Sequence, residues 1–215
     1  MVNNVINVTR ERWQALLERL DLKDNSDTFR RLYDAHLEEH RHYHTVTHLD
    51  ACLKHLDLVL DLADNPDQIE LALWFHDAVY QPYSSNNEER SAKWAKEFLQ
   101  QSNSFVTMQE RVEELIMVTE HNSSSISNDQ TLILDIDLSI LGQSSSNYDL
   151  YENAIRKEYK KIPFLLYSSK RAELLQGFLD RERIYNSDFF YGQLELKARE
   201  NLTRAIEKLG ASKTI

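Results

Sequence analysis

The sequence predicts an all-α fold, a single-domain helical bundle, and three observations carry that expectation. Apolar residues recur at the helical spacing along nearly the whole chain. Only four Gly and three Pro interrupt its 215 residues, so tight turns are few. No linker-like stretch divides it, and 41% hydrophobic residues suffice for a core of one large domain.

Taken in order, Trp13, Leu16, Leu17 and Leu20 line a first helix that starts at a Thr9 cap. Asp27 is placed to cap a second helix, with Phe29, Leu32, Tyr33 and His36 on one side. A third spans about Thr47 to Ala63, with Leu49, Leu53, Leu56 and Leu60 in register. Asn65-Pro66 opens a fourth: Asn caps, and Pro at the first helical position gives up no needed N–H. Its apolar face, Ile69, Leu71, Leu73, Trp74 and Phe75, runs into His76-Asp77.

After a polar loop from Pro82 to Asn87, helices are expected over about Glu88–Gln101 and Thr107–Glu120. Loops follow at Asn122–Asn128 and Gln143–Asn147, and helices at Tyr148–Lys161, Phe164–Tyr185 and Asp188–Leu209. Residues 132 to 141 alternate almost like a strand. No strand partner exists elsewhere, so they read as a buried helix.

The net charge of −10 argues against an extended nucleic-acid surface, while leaving room for a local basic pocket. The lone cysteine, Cys52, excludes an intrachain disulfide and a zinc site built of several thiolates. Neither a signal peptide nor a run of about 18 apolar residues is present. The expectation is a cytoplasmic protein with no membrane partner. Bundle faces allow a homodimer, although no stripe specifies one.

Three patterns carry chemistry. His44 and His48 lie four apart and share a face if both are helical; otherwise they are polar residues at a helix start. His76-Asp77 follows a strongly apolar face. Burying both needs partners, which a divalent metal provides, as does a His-Asp hydrogen bond at a helix end. Asp135 and Asp137 interrupt an apolar run, and each needs a charge partner or a solvated edge. Two imidazoles and two carboxylates suit a divalent ion such as Mn, Mg, Co, Ni or Fe. Such an ion activates water and neutralises a phosphoryl oxygen.

The order His…His-Asp…Asp resembles the defining pattern of the HD-superfamily metal-dependent phosphohydrolases. Tyr43-His44-x-x-x-His48-x-Asp50 also resembles the first metal motif of the cyclic-nucleotide phosphodiesterases, with Thr45 where that family has Asn. The resemblance extends to a bacterial group of predicted HD-domain hydrolases. Its pieces are Phe75-His76-Asp77-Ala78-Val79-Tyr80, Asn87-Glu88-x-x-Ser91-Ala92 and Asp135-x-Asp137-Leu138-x-x-Leu141-Gly142. Further on come Ile155-Arg156-x-Glu158-Tyr159, Phe178-Leu179-x-Arg181-x-x-Ile184-Tyr185 and Ala198-Arg199-x-Asn201-Leu202.

This resemblance implies one HD-type domain over 1–215, with a metal-site core over about 27–145 and C-terminal helices over about 146–210 packed on it. It implies His48, His76, Asp77 and Asp137 as metal ligands, Asp137 rather than Asp135 because it precedes the short apolar stretch ending in Gly142. His44 becomes the general acid. Glu88 either orients a metal-bound water or acts as a base, or else is a helix-start acid interacting with the dipole. His121 is either a substrate or second-metal contact or a helix-end histidine. Arg171, Arg181 and Arg199 suit phosphate, or pair with carboxylates. The implied substrate is a phosphorylated small molecule, a nucleotide first. A di-iron oxygenase and a non-catalytic nucleotide or metal sensor are the alternatives.

Overall fold

A computed structural model describes residues 6–24, 27–120 and 127–211. Every regular element among them is helical, as periodicity and the scarcity of Gly and Pro predict. They are α1 (Arg10–Arg19), α2 (Thr28–Ala35), α3 (Val46–Asp57), α4 (Pro66–Phe75), α5 (Asn87–Gln101), α6 (Val106–Met117), α7 (Asn128–Asp137), α8 (Ser145–Glu158), α9 (Phe164–Leu179) and α10 (Asp188–Ala211). Short 3₁₀ turns occupy Leu60–Leu62, Val118–Glu120 and Leu138–Gly142. The chain forms two compact units, Met1–Ile136 and Asp137–Ile215. No helix among the described residues is long and apolar enough to cross a membrane.

In the first unit α4 is the central helix. It packs against α1, α3, α5 and α6, and every residue from Ile69 to Phe75 is buried. Its aromatic layer includes Trp13 edge-on to Trp74 at 5.3 Å, and Phe75 tilted against Phe98 at 5.6 Å. One acid on this surrounded helix, Glu70, is buried yet doubly paired, to Arg12 at 2.7 Å and to Arg19 at 2.8 Å. A buried carboxylate survives only with such partners.

Two caps differ from the sequence expectation. Thr9 does cap α1, accepting from the Arg12 N–H. Asp27 has φ 49° and makes no side-chain cap. Asp24 instead accepts from the Thr28 and Phe29 N–H groups. Asn65 likewise makes no cap. Its backbone and side-chain N–H groups donate to Asp129, which also accepts from Asp64. A buried carboxylate in the first turn of α7 thereby anchors the start of α4. The third helix ends at Asp57, before its separate 3₁₀ turn, and the ninth ends at Leu179 rather than Tyr185. The loop expected over 122–128 falls mostly outside the described residues, and Asn128 already belongs to α7.

In the second unit α10 packs against α9 and against the 3₁₀ turn Leu138–Gly142. Gly142 is required by that approach: a Cβ there would meet the Leu194 Cβ at 2.5 Å. The turn is fastened by buried Asn201, whose Nδ2 donates to the Leu141 and Gln143 carbonyls. The Tyr185 hydroxyl donates to Leu138 O at 2.9 Å. Tyr185 and Ile184 are held in turn by their N–H groups donating to Glu195. Arg199 pairs with Glu195 and donates to the carbonyls of Leu179, Arg181 and Glu182, closing the end of α9. The late motifs of the sequence are thus fastenings around the segment that follows Asp137.

Candidate metal centre

Helix α3 brings the first ligand. Thr45 is its cap, accepting from the Thr47 N–H at 3.3 Å, so the helix begins at Val46 and His48 sits in its first turn. His44 lies ahead of the cap, so the two histidines do not share a helical face. His44 is placed by ring stacking instead: its imidazole lies on Tyr80 at 4.0 Å between centroids and edge-on to Tyr43 at 4.9 Å.

Helix α4 brings the second pair. His76 stands at its C-terminal cap, where the last carbonyls lack N–H partners. Its Nδ1 lies 2.7 Å from Leu73 O. A carbonyl can only accept, so Nδ1 carries a proton, and Nε2 is the ring atom left to meet the neighbouring groups, as a donor when the ring is charged and as a lone pair when it is neutral. Nε2 faces His48 Nε2 at 3.2 Å and Asp77 Oδ2 at 3.3 Å, and the third edge, His48 Nε2 to Asp77 Oδ2, is 3.5 Å.

The triangle fits a divalent ion. Nitrogen and oxygen ligands about 2.0–2.2 Å from one metal stand roughly 3.0–3.5 Å apart between octahedral and tetrahedral angles. Helix α7 ends on Asp137. His48, Cys52, His76 and Asp137 each place one ligand atom so that all four lie within 4.8 Å of one another, and the first three are buried. This group can hold a metal ion. Cys52 is the member that sequence reading missed. Its position four residues beyond His48 on one helix was the available signal.

The surroundings hold the Asp77 carboxylate charged. Burial alone would push its carboxyl up, but the imidazoles of His76, His44 and His48 keep it well below the usual carboxylate range. Arg41, also unrecognised in the sequence, fixes the backbone of both motifs. Its side chain is fully buried. It donates to His44 O at 3.1 Å, Asp77 O at 2.6 Å and Ala78 O at 3.1 Å, and it pairs with Glu38 at 3.0 Å. One planar guanidinium joins the loop before α3 to the turn after α4, a geometry that lysine's single ammonium does not reproduce.

The remaining candidates are dispersed. Asp135 is fully buried, not on a solvated edge. Glu88 is half-buried in the first turn of α5. Asp50 serves the N-terminal segment, accepting from the Ile6 and Asn7 N–H groups. Arg171 is buried and pairs with Glu152 at 2.6 Å, and it donates to the Tyr151 hydroxyl at 2.8 Å. Burial pushes that hydroxyl up; Arg171 opposes the shift, and the charges of Glu152 and Asp137 add to it. Arg181 stacks over Phe178 at 4.6 Å, and Arg199 is absorbed in closing α9. His121 lies outside the described residues. Comparison of the chain with family models, curated proteins and solved structures finds no match.

Proposed function

We propose that this chain is a metal-dependent phosphohydrolase acting on a phosphate ester or anhydride of a small molecule, a nucleotide first. His48, His76, Asp77 and Asp137 are its metal ligands. The observation that carries the reading is the convergence of His76 Nε2, whose ring is set by the contact of Nδ1 with Leu73 O, on His48 Nε2 and Asp77 Oδ2. Two imidazole nitrogens and a carboxylate oxygen converging so closely in a buried place suit a cation between them.

A divalent ion there supplies Lewis acidity to a phosphoryl oxygen and makes water nucleophilic near neutral pH. The protein's own part is orientation. His44, stacked on Tyr80, holds a proton toward the departing oxygen. Glu88 orients the attacking water. Arg171, Arg181 and His121 receive substrate phosphate. Arg171 is supported in that role by its place beside Tyr151, a residue that feels the charge of Asp137.

The test is elemental analysis of the purified protein beside a phosphate-release screen over nucleotides in Mn, Mg, Co and Ni. About one metal per chain, lost together with turnover in His76→Ala and Asp77→Ala, is the expected result. Full turnover in His76→Ala would remove the assignment. Tight nucleotide binding without turnover in any metal would make the protein a sensor instead.

A further inference from the structure

We infer that Cys52 is itself a metal ligand, so that this centre takes a borderline cation such as zinc or cobalt(II) through two imidazoles, a thiolate and a carboxylate. The inference rests on the metal-site reading above and goes beyond its nitrogen and oxygen ligands.

Cys52 follows His48 by one helical turn on α3, so both side chains lie on one face. It is 1% exposed. Its Sγ is 3.6 Å from His48 Nε2. A nitrogen at about 2.1 Å and a sulfur at about 2.3 Å from one ion stand roughly 3.6 Å apart at the tetrahedral angle. The same sulfur is within 4.8 Å of the ligand atoms of His76 and Asp137. Donors of types N, N, S and O gathered this closely match, in number and kind, the four-ligand set that zinc prefers.

The plain alternative is packing, since Sγ is also 3.8 Å from Nδ1 of the same ring. Packing against His48 alone requires no approach to His76 and Asp137. The convergence on all three is what ligation predicts. Binding would release the thiol proton to solvent and form one metal–sulfur bond, with no change of oxidation state. His48 and His76 would then serve two kinds of ion. With Asp77 they present a harder face toward manganese or magnesium, and with Cys52 a softer one toward zinc or cobalt.

The experiment is anaerobic titration of the metal-free full chain with cobalt(II), read by absorption. X-ray absorption of the zinc-loaded wild-type chain then requires no variant. The expected results are visible ligand-field bands with a near-ultraviolet thiolate-to-cobalt band, and one sulfur at about 2.3 Å from zinc. Cys52→Ser should keep the ligand-field bands and lose the thiolate band. Its zinc affinity should fall roughly tenfold or more, since even losing a residue that only supports a ligand costs that much. Ligand-field bands without a thiolate band, or zinc surrounded by nitrogen and oxygen alone, would overturn the inference and leave the hydrolase reading standing. No uptake of any metal would overturn both.

Discussion

Each compact unit buries a polar cluster, and the two are built on opposite terms. In the second, Arg171 meets Glu152 and the Tyr151 hydroxyl, and the Tyr148 hydroxyl donates to the same Glu152 at 2.9 Å. Donors face acceptors and charges cancel, so the group holds together without a metal. In the first unit, His48 Nε2, His76 Nε2 and Asp77 Oδ2 turn toward one another within 3.5 Å. All three are atoms of a kind that ligates metal, two imidazole nitrogens and a carboxylate oxygen. Burial of polar atoms therefore does not by itself mark a metal site. A convergence of several metal-ligating atoms is the more telling sign of a metal site.

The largest effect should separate the two clusters outright. His76→Ala and Asp77→Ala should each lose at least about nine-tenths of bound metal by elemental analysis, with the helical circular dichroism retained. Arg171→Met should keep its metal but unfold at lower urea. It leaves the Glu152 carboxylate, 18% exposed, without its cation, at a cost of about 3 kcal/mol. A metal-replete Asp77→Ala protein, or a metal-free Arg171→Met protein, would break the comparison.

Arg41→Met should act on both counts. Three carbonyls lose a charged donor, at about 2–3 kcal/mol by chemical denaturation, and metal affinity should fall between about tenfold and a hundredfold by calorimetric titration. Unchanged affinity would show that the guanidinium braces the fold without positioning the site.

His36 gives a smaller effect with a defined sign. Burial pushes its imidazole down to about 3, outweighing the bond to Leu32 O that raises it, with Arg41 and His76 lowering it further and Asp77 raising it. The folded state therefore keeps His36 neutral where the unfolded chain is protonated. Stability from this group is whole above the ordinary value of about 6.5 and is lost as pH falls toward 3. Between pH 7 and pH 5 the loss should be about 2 kcal/mol, read from urea midpoints, and His36→Gln should flatten that limb. Smallest of all, Gly142→Ala should destabilise by about 1 kcal/mol or somewhat more, because Leu194 must shift to admit a methyl group.

The fold was legible because its signal is local. Helical spacing in α1 and α4, the Thr9 cap and the paucity of Gly and Pro can each be read within a few residues. What escaped reading depends on distance along the chain. The start of α4 is anchored by Asp129, 64 residues beyond Asn65, so Asn65 passed for its own cap. The stretch around Asp137 looked strand-like because burial on several sides erases a one-sided stripe. Three members of the metal group, His48, His76 and Asp137, were named from their order in the chain. Cys52 was read only for disulfides. Arg41 sat in a polar run, and nothing there announced that its partners include carbonyls 36 and 37 residues away.

The fastening of the turn after Asp137 also has a consequence in time. Leu141 O receives its hydrogen bond from Asn201, 60 residues later. A ribosome adding roughly 5–20 residues per second needs several seconds to cover that distance. During that interval the residues of the first unit are already made, while the segment leaving Asp137 has no Asn201 to hold it. Release of α10 from the ribosome should therefore time the moment at which the turn after Asp137 is fastened and the second unit closes.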